Sequence, residues 1–282
     1  MKHRALIVGA GRIGAGYNWI QTPYPYTHAD TYLALKDRVE LVGFIEPDKE
    51  RREAATKKYG IDAFHSVEVA LHYVPGIDIV SICTQPEQRW DILTKLDDAM
   101  IPGVWCEKPF ACPSHMTLKD LRHIAINYWR RYEPMHRRIK DKLDAGEYGE
   151  VVRLVVSAKR DIHTVSHFTD LALWWNVPQS KFTYCDVPAS DFTTCEYTLY
   201  ATQAVLRFEG GGSMMTEDHG GPSHVFPGMR LPFLKDARAW SPIFMTEALS
   251  DLLNVMDGIT AKTKSGPEGA IEAERWAEEI LR

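Results

Sequence analysis

Glycines at 9, 11 and 14 follow directly on a short apolar run in the stretch RALIVGAGRIGAGYNWIQ (4–21). The spacing GxGxxG after a strand is what a dinucleotide's pyrophosphate requires. The first glycine permits the tight turn, the second lets backbone approach the phosphates, and the third allows close helix–strand packing. The N–H groups near Arg12 and Ile13 would then meet the phosphate oxygens. Three glycines alone are weak evidence, so the next strand must end in an acid able to accept from ribose hydroxyls. Glu46 closes VELVGFIE and meets that need, 32 residues beyond Gly14 where about 20 is usual. The excess reads as an insertion, AGYNWIQTPYPYT, ahead of the first helix. A carboxylate here repels the 2′-phosphate of NADP, which favours NAD as the cofactor. Arg51 and Arg52 stand close enough to keep NADP open; their other reading is a solvated helix face.

The elements that would carry these residues alternate along the first hundred positions. ALIVG (5–9), VELVGFIE (39–46), DIVSICT (78–84) and GVWCEKP (103–109) predict strands, with helices over 28–37, 48–59, 66–74 and 88–99. Alternation of this kind implies βαβ units, right-handed crossovers and a doubly wound parallel sheet. Beyond about residue 119 the pattern changes. LRHIAINYW reads as strand, and a helix from Pro134 carries Met135, Ile139 and Leu143 on one stripe and ends at Gly146. Runs at 151–159, 193–201, 203–209 and 213–218 predict strands joined by short connections, hence a mostly antiparallel sheet with one face open. The segment 219–240, rich in glycine and proline, reads as the longest loop. Two late helices follow, one from Ser241-Pro242 burying Leu249, Leu252, Leu253 and Met256. The last buries Ala273, Trp276, Ala277, Ile280 and Leu281. The fold class expected is α/β: a Rossmann doubly wound sheet over 1–119, then an α+β domain on a mostly antiparallel sheet over 120–282.

Composition narrows the partners. At 282 residues, 45% apolar and 25% charged, the chain is an ordinary globular protein. Its net charge of −5 argues against nucleic acid or an anionic membrane. No apolar run nears the roughly 20 residues that span a bilayer. Five widely spread cysteines without a CxxC read as buried reduced thiols in a cytoplasmic protein rather than as disulfides or a metal site. His219 and His224 stand five apart in a glycine-rich stretch, too weak a pattern for a metal; polar loop residues are the expectation, and no metal site.

The motif CEKPF (106–110), together with the glycine turn, Glu46 and CTQP (83–86), resembles the glucose–fructose oxidoreductase / inositol dehydrogenase (Gfo/Idh/MocA) family. NYWRRYEP (127–134), GEYGEV (146–151) and HFTD (167–170) extend the resemblance along most of the chain. It implies a nicotinamide cofactor and redox chemistry at a carbon of a sugar, sugar nucleotide or polyol. It assigns cofactor contacts to Thr84, Pro86 and Glu107, and a place between cofactor and substrate to Lys108. The histidine of the family's D-x-x-x-H-x-x-D pattern, its usual proton-transfer residue, falls on His167. A homo-oligomer built through the open face of the second sheet is implied too.

The residue chemistry agrees with that assignment. Hydride transfer from a secondary alcohol requires a base at the hydroxyl, and histidine titrates in the useful range. An ammonium beside the same oxygen stabilises developing alkoxide charge. Lys108 precedes proline, which holds its backbone extended, although a surface lysine at a strand exit is the bland alternative. His167 has an alternative too, as a helix cap or a packing partner of Trp174 and Trp175. Asp170 is either structural or an orienting group, and Arg130 and Arg131 either reach substrate or line a charged strand edge. Where the family has aspartate four residues before His167, this chain has His163, with Asp161 off by two. Either the catalytic set becomes Lys108, His163 and His167, or substrate binds differently. The leading expectation is an NAD(P)-dependent oxidoreductase. An NAD-dependent glycoside-cleaving enzyme without net redox and a catalytically inactive nucleotide- or sugar-responsive binding protein remain the alternatives.

Overall fold

The computed structural model describes residues 2–16, 24–111, 113, 123–187, 195–222, 230–239 and 241–282. The chain forms two compact units, Met1–Tyr132 with Pro242–Ile271, and Glu133–Ser241 with Glu272–Arg282.

The first unit runs β1 (His3–Val8), α1 (His28–Ala34), β2 (Val39–Ile45), α2 (Lys49–Tyr59), β3 (Ala63–Phe64), α3 (Val67–Tyr73), β4 (Ile79–Ile82), α4 (Pro86–Asp98), β5 (Gly103–Cys106) and β6 (His123–Ile126). Its sheet is parallel in the order β3-β2-β1-β4-β5-β6. Strands buried on both faces split their side chains between two cores. Leu6, Val8, Val80, Ile82, Val104 and Cys106 meet α3 and α4 on one face. Ala5, Ile7, Ile79, Trp105 and Ala125 face α1 on the other. Side-chain caps start three of the helices: Thr27, Asp48 and Ser66 each accept from an N–H of the first turn.

The second unit begins with α5 (Pro134–Asp144) and continues through β7 (Val151–Ala158), α6 (Ile162–Trp174), β8 (Phe182–Asp186), β9 (Glu196–Ala201), β10 (Ala204–Glu209), β11 (Met214–Pro222) and β12 (Arg230–Ala239). The sheet order is β12-β11-β10-β9-β7-β8. All pairs are antiparallel except β7 with β8, which α6 connects as a crossover. One face carries Leu154, Val156, Tyr197, Leu199, Leu206 and Phe208 against Met135, Ile139, Phe168, Leu171 and Trp276. The opposite face exposes Tyr200 and Met214.

Two helices close the chain, α7 (Phe244–Met256) and α8 (Pro267–Leu281). α7 belongs to the first unit, where Met245, Ala248, Leu249, Leu252 and Leu253 cover the face carrying Trp105 and Ala125. Gly103 makes this packing possible, because a Cβ there would stand 2.6 Å from Met256 Sδ. The expected division at 119/120 therefore differs from the observed units in two respects. β6 pairs with β5 and extends the first sheet, since His123–Ile126 alternates between the two cores. α7 then returns from far along the chain to cover the end of that sheet.

Two further expectations are corrected. The segment 219–240 is no long loop: β11 runs to Pro222 and pairs with β12, with a register shift at Glu217/Asp218. β12 is an edge strand, and an edge tolerates Pro232, whose nitrogen has no hydrogen to give to a ladder. Residues 223–229, His224 among them, lie outside the described residues. The described thiols are not uniformly buried: Cys106 is buried and Cys83 and Cys195 are partly so, but Cys185 is exposed on edge strand β8, and Cys112 lies outside the described residues. Among the described residues, no helix is long and apolar enough to cross a membrane.

Candidate active site

The glycine turn leaves β1 at the carboxyl edge of the first sheet, and its glycines are needed for different reasons. Gly9 has φ of +94° and a Cβ there would lie 2.9 Å from the Cys83 carbonyl oxygen. A Cβ on Gly14 would come within 2.0 Å of the Gly9 oxygen. Both are demanded by the chain's own packing. Gly11 is not, since no described residue lies within 4 Å of the Cβ it lacks, and open space of that kind is what close approach of a pyrophosphate needs. Arg12–Gly16 forms a single π-helical turn in which Ala15 and Gly16 donate to the Gly11 carbonyl, each at 3.0 Å. The amides of Arg12 and Ile13 precede these donors and are among the orphan groups that start any helical turn.

Glu46 follows β2 and is buried. Its carboxylate accepts from Ala10 N–H at 2.9 Å and Asp48 N–H at 3.1 Å, tying the strand end to the glycine turn. Arg52 donates to the carbonyls of Glu46 and Pro47 at 2.7 and 2.9 Å, while Arg51 is exposed. Thr84 follows β4, and its buried Oγ1 has no hydrogen-bond partner among the described residues. Pro86 opens α4 at its first position, where the missing N–H costs nothing.

Glu107 and Lys108 follow β5, and the Lys108–Pro109 peptide is cis. The Glu107 carboxylate accepts from His28 Nε2 at 3.1 Å and Asn127 Nδ2 at 2.5 Å. His28 Nδ1 lies 3.0 Å from Ser81 Oγ, which Tyr32 Oη meets at 2.7 Å. His28 also packs against Trp105, with ring centroids 3.8 Å apart. Every member of this network is buried. Burial alone would raise the Glu107 pKa, but the bond and charge from His28, with Asn127 and Lys108, hold it below the ordinary carboxylate value. Lys108 itself is half-buried beside that carboxylate. Sequence reasoning missed His28, Ser81, Asn127 and the buried Arg89; Glu107, which all but Ser81 contact, lies 79 residues from His28, 20 from Asn127 and 18 from Arg89.

These positions fit a dinucleotide. Among the described residues, nothing fills the space facing Gly11, and the buried acceptors Thr84 Oγ1 and Asn127 Oδ1 have no partner, all at the carboxyl edge of the first sheet.

Arg131 is not with them. Its guanidinium donates to the Lys264 carbonyl at 2.9 Å and lines a cavity of about 460 Å³ with His123, Lys262 and Glu268. Arg130 is buried over the Trp129 ring, 4.4 Å from its centroid.

In the second unit, His163, His167 and Asp170 follow one another at helical spacing on α6, so they share a face. His163 is exposed, His167 half-buried and Asp170 buried. Asp161 does not substitute for the missing aspartate: it is the N-cap of α6, accepting from Thr164 N–H at 2.9 Å and pairing with Lys159 at 3.0 Å. His219 donates towards Glu217, at 2.7 Å, instead of standing in a loop.

A six-stranded parallel sheet with a glycine turn and an acid at the ends of its first two strands defines a dinucleotide-binding Rossmann protein. Residues 3–128 match the model of the Gfo/Idh/MocA group, described as an oxidoreductase family with an NAD-binding Rossmann fold. Inositol 2-dehydrogenase of Corynebacterium glutamicum (strain R) is 28% identical over 160 residues, spanning 54% of this chain and 44% of the relative. The match thus spans less than half the length of that relative. Among solved structures, the WlbA dehydrogenase from Bordetella pertussis, in complex with NADH and UDP-GlcNAcA, superposes with a TM-score of 0.70 at 15% identity. That likeness covers 99% of this chain and 96% of the other. A super-repressor mutant of Gal80p from Saccharomyces cerevisiae gives 0.73 at 13% identity, covering 99% and 95%. At such identities the likeness establishes the fold.

Proposed function

We propose that this protein is an NAD-dependent oxidoreductase that moves a hydride between nicotinamide and a hydroxyl-bearing carbon of a sugar, sugar nucleotide or polyol. The observation that carries the reading is the placement of Lys108, directly after Glu107 at the carboxyl end of β5, on the same sheet edge as the open Gly11 and the unpartnered Thr84 hydroxyl. The cofactor supplies the hydride acceptor. The amides of Arg12 and Ile13 bind its phosphates, Glu46 accepts from its ribose, and Thr84, Pro86 and Glu107 border its reactive end. Lys108 stabilises charge on the substrate oxygen, and His167 takes the hydroxyl proton. His163 stands in the aspartate's place on the same helical face and contacts substrate. Asp170 orients the ring of His167 from within the helix. Arg131, turned towards Lys264, takes no part in this reading.

The test is reduction of NAD across a panel of polyols, sugars and sugar nucleotides. Lys108→Met is expected to lower turnover by about 10²–10⁴-fold while NADH titration still reports binding. Product formation without lasting reduced-nicotinamide absorbance would point to glycoside cleavage instead. Coenzyme uptake without turnover of any panel member would point to a binding protein. We also assign the open face of the second sheet, with Tyr200 and Met214 exposed on it, to contact with a second copy of this chain.

A further inference from the structure

α4 leaves the carboxyl edge of the first sheet and turns Arg89 back beneath it, where the side chain is buried. Among the described residues, its guanidinium hydrogen-bonds to backbone oxygens only. Nε and Nη2 donate to the Thr84 carbonyl at 3.0 and 2.7 Å, and Nη1 donates to the Glu107 carbonyl at 2.8 Å and to the Pro109 carbonyl. Thr84 lies in the loop after β4, and Glu107 and Pro109 flank Lys108 in the loop after β5. One planar fork therefore joins the two loops that border the candidate reaction centre.

Such an arrangement is costly if its only purpose is to fill space. An apolar side chain would occupy the same volume without taking a charge out of water. The guanidinium offers what an apolar group lacks: rigid donors in one plane, aimed at carbonyls from different strands. With the carbonyls on both sides of Lys108 anchored, the backbone from which the ammonium projects has little freedom left. We propose that Arg89 is a positioning residue, which fixes Lys108 by clamping the Thr84 loop to the Glu107–Pro109 loop. The inference rests on the role given to Lys108 above, and concerns how that amine is held.

The test begins without substrate. Hydrogen exchange, read by mass spectrometry on the whole chain, compares wild type with Arg89→Lys, which keeps the charge and stem but loses the fork. The amides of residues 84, 85, 87, 107, 108, 110 and 111 are expected to exchange on the order of 10-fold faster, with β1 and β2 unchanged. Turnover is then expected to fall on the order of 10–100-fold, as misplacement of a reacting group by about 1 Å would cause. KM and NADH affinity should stay within about threefold, marking a loss specific to the reaction step. Added guanidinium should restore part of the turnover of Arg89→Ala. Unchanged exchange in both loops, or faster exchange spread evenly over the sheet, would overturn the clamp. The outcome is separable from the reading of Lys108: full activity in Lys108→Met would remove that role while the exchange result on Arg89 stands.

Discussion

Gly11 and Gly14 are chemically identical and physically opposite. Gly14 is demanded by the fold, since its Cβ would overlap the Gly9 carbonyl, whereas a methyl on Gly11 enters space that none of the described residues occupies. Gly14→Ala is therefore expected to lower stability by about 1–3 kcal/mol, the usual cost of an overpacked site. Gly11→Ala should leave the melting temperature unchanged and weaken NADH binding by about 10-fold or more, since the methyl would occupy the phosphates' approach. Thermal melts and fluorescence titrations check both, and equal losses of stability would refute the distinction. The glycine pattern is legible in a string of letters, but which glycine serves the fold and which the ligand is not. His28 makes the same point. It contacts Ser81 and Glu107, 53 and 79 residues away, and no periodicity links positions on α1, on β4 and just after β5.

Single elements gain from charges placed where they pack on one another. Glu217 on β11 is buried and accepts from Lys142 of α5 at 2.7 Å, from Tyr148 at 3.1 Å and from His219 at 2.7 Å. Burial pulls its pKa upward, yet Lys142 and His219 outweigh that and bring it to about 2. A carboxyl depressed in the folded state adds stability above its ordinary pKa of about 4.3, and that stability is lost as pH falls through the folded value. Acid should thus weaken the joint between α5 and the sheet between about pH 4.5 and 2. Lys142→Met raises the Glu217 pKa, so near-ultraviolet circular dichroism should show acid unfolding at a higher pH than in wild type. An unchanged midpoint would mean that the ion pair contributes nothing. The helical stripe of α5 is readable from spacing alone, with Met135 and Ile139 buried as expected. Its union with β11 depends on register, which a run of residues does not disclose.

Across the whole chain, the open face of the second sheet is the largest consequence left to measure. If it meets a second copy, light scattering should report a dimer or higher oligomer. Tyr200→Lys with Met214→Lys should then yield monomer at the same concentration, because two buried charges face each other without partners. A wild-type monomer at high concentration would defeat the assignment. By itself the sequence determined the βαβ order, the glycine turn, the acid closing β2 and the helical spacing of His163, His167 and Asp170, because local periodicity and turn chemistry govern each of them. Only the tertiary structure decided that β6 and α7 complete the first sheet, that Asp161 caps a helix, and that Glu107 answers to His28 and Asn127. Those outcomes depend on which distant surfaces bury one another, and burial is a property of the assembled chain, not of any stretch within it.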